Sequence, residues 1–290
     1  MRIGLQIPEF TWPGGPEKIG PTLAAVGRTA DDVGFSHITV MDHFFQIPQL
    51  GPPTDEMLEA YTALTFLAAH TSRAALLALV TGVVYRPPGL LAKIVSTLDV
   101  LSGGRTWLGI GAAWDEEESL GLGLPFPPLA ERFEMLEESV QIILRMWEGD
   151  DSPYDGRHYR LERPLNSPQP LAVPHPPIMI GGSGEKKTLR LVARYAQACN
   201  FFPTPALPRK LAVLREHCER EGRSYDEIEK TCFLPFDIGP DGERAADLLP
   251  FLERLAGLGV QTVIGSVPDI WRLRGLEAVG KLVIPAVEDL

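Results

Sequence analysis

Eight times along its 290 residues the chain sets a short apolar or β-branched run before a longer segment of helical period. That alternation is the signature of βα units on a parallel sheet, and it leaves few folds open. Strands are expected at 2–7, 36–41, 75–81, 105–111, 177–181, 198–202, 230–236 and 260–265, with helices near 17–34, 59–71, 88–101, 129–148, 185–196, 206–222, 243–258 and 267–279. The fourth helix is the clearest. Phe133, Leu136, Val140, Ile143 and Leu144 recur every three or four residues among Glu131, Glu134, Glu137, Glu138 and Gln141, with prolines before and Gly149 after. Eight such units close naturally into an α/β (β/α)8 TIM barrel, a fold of about 250 residues, with short loop insertions at its C-terminal mouth. An open doubly wound sheet is the alternative. The Pro-rich stretch from Pro164 to Pro177 is expected to be a surface excursion, with 154–161 a small hairpin arm, so residues 1–290 read as a single domain.

A net charge of −11 argues against a nucleic-acid surface, which needs clustered Lys and Arg, although an acidic shell leaves a local basic pocket possible. Three cysteines without a CxxC spacing, Cys199, Cys218 and Cys232, suit a reducing compartment better than a disulfide framework. The first residues lack the apolar stretch of a secretion signal. The longest apolar run, between Arg73 and Arg86, falls short of the roughly 20 residues that a membrane helix needs. A cytoplasmic protein with neither nucleic acid nor membrane as partner is the expectation.

Parallel barrels carry their sites where the βα loops gather, at the C-terminal ends of the strands. That rule selects Pro8-Glu9, Asp42-His43, Thr81-Gly82-Val83, Gly111-Ala112-Ala113-Trp114 and Gly181-Gly182-Ser183-Gly184. His43 is the strongest candidate, because imidazole donates or accepts a proton near neutrality. Asp42, pointing elsewhere along extended chain, is expected to meet cofactor or backbone. The bland alternative is a turn cap beside a half-exposed histidine. Gly181 to Gly184, ahead of Lys186, Lys187 and Arg190, has the composition of an anion cradle at a helix N-terminus; an ordinary glycine turn is the alternative. Trp12, Phe44 and Trp114 fall on loops that would line an apolar pocket, while Trp107 and Trp147 read as core.

Other chemistries fail on spacing. Gly109-Ile110-Gly111-Ala112-Ala113-Trp114 has Trp where a dinucleotide fingerprint needs its third small residue, and Gly280-Lys281 is followed by Leu282 rather than by Ser or Thr. Glu185 occupies the second glycine position of a nucleophile elbow, and the scattered histidines include no HExxH, so no metal is expected.

The run Thr81-Gly82-Val83-Val84-Tyr85-Arg86-Pro87-Pro88-Gly89 strongly resembles luciferase-like oxidoreductases. So do Thr97-Leu98-Asp99-Val100-Leu101-Ser102-Gly103-Gly104-Arg105, Leu108 to Trp114, Glu131-Arg132-Phe133, Asp42-His43 and Pro177 to Gly184. Gly222 to Thr231 resembles the coenzyme F420-dependent branch. The resemblance implies a barrel binding F420, or alternatively FMN, at its mouth, usually as a homodimer, sometimes served by a separate F420 or flavin reductase. It implies His43 as proton donor or stabiliser, and Asp42, Thr81, Gly82, Val83, Gly111 and Ala112 beside the cofactor. It also implies a phosphate on Gly181, Gly182, Ser183 and Gly184, and a non-prolyl cis peptide mapping to Gly82-Val83. Hydride transfer between F420 and an apolar or aromatic substrate is the leading expectation. An FMN monooxygenase using O2 and a non-catalytic flavin-binding barrel are the alternatives. Two departures stand out. Ala196-Gln197-Ala198-Cys199-Asn200 replaces the family's Ala-Asp-x-Trp-Asn, which puts the pocket there in doubt. Trp114 stands where related sugar-phosphate dehydrogenases carry a catalytic Glu, which argues against that reaction.

Overall fold

A computed structural model describes residues 1–290. Its strands are β1 (Arg2–Ile7), β2 (His37–Val40), β3 (Ala75–Ala78), β4 (Thr81–Gly82), β5 (Leu108–Gly111), β8 (Ile178–Gly181), β9 (Ala198–Phe201), β10 (Glu229–Pro235) and β11 (Thr262–Ser266), with β6 (Tyr154–Asp155) and β7 (Arg160–Leu161) forming the separate hairpin arm. The helices are α1 (Pro16–Val33), α2 (Ala60–Ala68), α3 (Pro88–Ser102), α4 (Glu116–Gly121), α5 (Leu129–Trp147), α6 (Thr188–Tyr195), α7 (Leu207–Glu221), α8 (Leu249–Gly257), α9 (Arg274–Ala278) and α10 (Ile284–Val287).

All pairings in the main sheet are parallel, in the order β3-β2-β1-β11-β10-β9-β8-β5-β4. The ends meet: Leu76 bridges to Thr106, and its carbonyl accepts the Trp107 N–H at 2.9 Å, so β3 lies against the segment entering β5. The eight-strand expectation thus holds in position, with one change. The third strand is broken into β3 and β4, and a non-prolyl cis peptide occupies the break at Leu79-Val80. The expected location at Gly82-Val83 is corrected. Gly82 is paired with Gly111, and the Val83 N–H reaches the Gly111 carbonyl at 2.9 Å, so that segment belongs to the regular ladder.

Two apolar clusters follow from the alternation of side chains along the strands. The larger packs the outer faces of the strands against the helices. A smaller one, Leu77, Met179, Ala198 and Ile264 with Leu79 and Trp107 against it, draws on four strands and fills the barrel interior. Glycine governs one sector of that interior. A Cβ on Gly109 would lie 2.0 Å from the Ala78 carbonyl oxygen, and one on Gly181 would lie 2.7 Å from Val80 Cγ2. These positions therefore admit no side chain, and Val80 sits directly on the backbone of β5 and β8. The Pro-rich excursion is docked through Asp99, whose Oδ2 accepts the N–H groups of Leu171 and Ala172 at 2.7 and 3.0 Å. No helix is long and apolar enough to cross a membrane.

The end of the barrel opposite the mouth encloses a buried histidine. His37 Nδ1 lies 2.9 Å from Ser36 Oγ, its Nε2 has no partner, and the ring meets Trp107 edge-on at 4.8 Å. Burial, helped by the charge of Arg2, pushes its pKa down to about 3. Below about pH 6.5 the unfolded chain takes up this proton and the folded one does not, so stability falls with pH by about 1.4 kcal/mol per unit down to about pH 3. His37→Gln removes that uptake. Urea unfolding between about pH 6 and pH 4 should show the variant losing about 2–3 kcal/mol less than the parent; parallel losses would contradict a neutral buried imidazole.

Candidate active site

The chain leaves β2 at Val40 and enters the mouth through Met41, Asp42 and His43. Asp42 has a different partner from the one expected. Both its oxygens are taken by Arg86, from the loop between β4 and α3: NH1 donates to Oδ2 at 2.6 Å and NH2 to Oδ1 at 3.0 Å. Arg86 also pairs with Glu59, which caps α2 by accepting the N–H groups of Tyr61 and Thr62 at 3.2 and 2.7 Å. The guanidinium lies over the Tyr61 ring at 4.8 Å, and the Tyr61 hydroxyl is 2.7 Å from the Thr81 hydroxyl. Burial lifts the Asp42 carboxyl and opposes charge on Arg86, yet Asp42 and Glu59 hold Arg86 above the usual guanidinium range. With both carboxylate oxygens met by one fork, the pair is ionic.

His43 meets a residue that the strand–helix alternation does not announce. Its Nδ1 lies 3.2 Å from Glu118 Oε2, and the same oxygen accepts the N–H groups of Phe44 and Phe45 at 2.8 and 3.0 Å. Glu118 comes from α4, a short helix in the 112–128 loop capped by Asp115, whose Oδ1 accepts the Glu118 N–H at 3.0 Å. Its side chain is only 1% exposed. Burial alone would raise its carboxyl, but the contact with His43 and the Phe45 N–H outweigh that and hold it below the ordinary range. Oε1 has no hydrogen-bond partner. Arg132 braces the loop, donating to the carbonyls of Ala112 at 2.9 Å and Pro127 at 2.6 Å while lying 3.9 Å over Phe126. The spacing Asp115-x-x-Glu118 is a capping-box signal that would have located α4 from sequence.

Across the mouth, β8 ends in the glycine loop. Gly182 takes a left-handed φ of 103°, and the N–H groups of residues 182–187 donate to no protein acceptor. Ser183 is half-buried and Lys186 exposed, Lys187 lies 5.3 Å over Phe133, and Arg190 is engaged by Glu137 at 2.7 Å. The loop is anchored from α7. His217 Nε2 donates to the Glu185 carbonyl at 2.7 Å, and the Glu185 carboxylate holds Arg209 and Lys210 at 3.0 and 3.1 Å.

The expected pocket aromatics separate. Trp114 is 56% exposed and meets the His43 ring at 5.2 Å; Phe44 packs on Tyr85 at 5.3 Å; Trp12 is buried in the core, 5.6 Å from Phe10. Phe202, 65% exposed, and Phe233 form a T-shaped pair at 6.0 Å that the sequence reading did not connect. Thr81 and Val83 are buried, and Gly82 and Gly111 stand side by side in the ladder. The two departures around β9 lie away from the mouth: Gln197, just before β9, accepts the Ile178 N–H at 2.9 Å where β8 begins, and Cys199 is buried in the outer core. His43, Asp115 and Glu118 offer ligand atoms within 4.8 Å of one another. Glu118 Oε2 already takes three donors and Asp115 Oδ1 caps α4, so a cation would have to displace these bonds.

A family model described as luciferase-like monooxygenase matches residues 1–280. A protein of Nakamurella multipartita named F420-dependent glucose-6-phosphate dehydrogenase is 32% identical over 258 residues, covering 85% of this chain and 73% of the relative. Among solved structures, an F420-dependent secondary alcohol dehydrogenase in complex with an F420–acetone adduct aligns with a TM-score of 0.82 at 18% identity, over 99% of each chain. The oxygenating constituent of 3,6-diketocamphane monooxygenase from Pseudomonas putida, in complex with FMN, aligns with a TM-score of 0.69 at 18% identity, over 98% of each chain. At these identities the two structures bear on the fold.

Proposed function

Because the chain belongs to the luciferase-like monooxygenase family, we propose that it is a hydride-transferring oxidoreductase that uses coenzyme F420, with His43 as proton donor and acceptor. The observation that carries this reading is a histidine held by a buried carboxylate at the same barrel mouth as six consecutive unpartnered amides. The residues fit such a group. Amides 182–187, at the head of α6, offer an anion several donors and a favourable dipole, so Gly181, Gly182, Ser183 and Gly184 would hold the phosphate. The strand ends at Thr81, Gly82, Val83, Gly111 and Ala112, with Val80 on the glycine wall, would support the ring. When bound, F420 supplies a ring that takes or gives the hydride. The name of the 32% identical relative favours F420 over FMN.

The substrate in this reading is neutral and apolar or aromatic. Trp114, Phe44, Phe202 and Phe233 offer apolar surface. Glu9, after β1, is raised by its burial and by Asp55 and Asp269, carboxylates from the neighbouring loops, so this side of the mouth disfavours a phosphorylated sugar. One domain, a homodimer and a cytoplasmic location with a separate F420 reductase complete the proposal; the three free, buried cysteines suit that compartment. An FMN monooxygenase fed reduced flavin and O2 is the second reading, since the same amides suit an FMN phosphate. A non-catalytic flavin-binding barrel is the third. Purified protein titrated separately with oxidised F420 and FMN, followed by cofactor fluorescence, should bind F420 the more tightly. Tight FMN binding without F420 affinity would sink the assignment.

A further inference from the structure

We infer that Glu118 is a positioning residue that fixes the tautomer of His43, placing the imidazole's single proton on Nδ1 and leaving Nε2 bare at the barrel mouth. The inference rests on the reading of that mouth as a redox site only for its consequence, not for its geometry.

Glu118 Oε2 takes the Phe44 and Phe45 N–H groups at 2.8 and 3.0 Å. Backbone N–H groups only donate, so this oxygen acts as an acceptor. Burial would raise this carboxyl, but the contact with His43 and the Phe45 N–H outweigh it and favour the ionised form, and an ionised carboxylate has no proton to give. The contact from His43 Nδ1 at 3.2 Å therefore carries the imidazole's own hydrogen. A neutral imidazole has one such hydrogen, so Nε2 keeps its lone pair. No protein group bonds to Nε2, and the side chain is 12% exposed beside Trp114.

The chemical consequence is an order of events. Neutral His43 accepts a proton at Nε2 before it can donate one, and the imidazolium then formed faces the Glu118 carboxylate. Glu118 touches no reacting atom; it acts through His43 and through the 43–45 backbone. That role accounts for α4, six residues in a mouth loop whose cap aims one buried carboxylate at the strand-2 turn.

The test is a long-range proton–nitrogen correlation spectrum of the unliganded protein, labelled with nitrogen-15 histidine, in mildly alkaline buffer. His43 is assigned among six histidines by its disappearance in His43→Gln. The expected result is a pyrrole-type Nδ1 and a pyridine-type Nε2, with Glu118→Gln, which keeps an oxygen for the two backbone donors, shifting the population toward Nε2–H. A parent protein with Nε2–H dominant overturns the inference, and so does a folded Glu118→Gln variant with an unchanged tautomer. If that variant does not fold, the parent spectrum alone decides. Failure to bind F420 would defeat the proposed function and leave the tautomer result standing, so the two failures are distinguishable.

Discussion

Arg86→Met is expected to cost the fold about 3–5 kcal/mol, the loss typical when one partner is removed from a buried ion pair. The Arg86 side chain is 8% exposed and that of Asp42 is fully buried, with both carboxylate oxygens met by the guanidinium. Methionine keeps most of the stem's volume against Tyr61 but leaves Asp42 without its counter-charge. Asp42 can then recover part of the loss by taking up a proton, because burial already favours its neutral form. The variant should therefore look worst near neutrality and improve relative to the parent as pH falls. Arg86→Lys keeps the charge without the fork and should fall between the two. Urea unfolding at several pH values decides it. A loss below about 1 kcal/mol would place the pair with ordinary surface bridges and remove its role in fixing the Asp42–His43 turn.

The fold was largely legible because side-chain periodicity reports which faces are buried. The chain's apolar runs marked every strand of the barrel, and α5 announced itself by its glutamates. The break between β3 and β4 was not legible: Leu77, Leu79 and Val80 continue the apolar run, and nothing local marks where pairing with the neighbours stops. His43 was found because strand-end placement is a topological rule. Its partner was missed because Glu118 stands 75 residues away among three other acids, Asp115, Glu116 and Glu117, and only packing selects which of them is buried. Asp42 shows the same limit. Its acidity was legible and its partner was not, since Arg86 reaches it only after the third strand returns beside the second. The substitutions at β9 drew concern through the family motif and not through their position; Gln197 precedes β9 and serves the end opposite the mouth.

The most direct test of the account pairs two measurements on His43→Gln: F420 affinity and turnover of the best substrate found among neutral alcohols, ketones and enones. Gln preserves a polar side chain of similar reach at a site where no protein group bonds to Nε2. It cannot exchange a proton near neutrality, and removal of a general acid–base group typically costs about 10²–10⁴-fold in rate. The account predicts F420 affinity close to the parent's and turnover lower by that factor. Turnover equal to the parent's, with F420 still bound, would contradict it and favour a barrel that holds its cofactor without using this histidine.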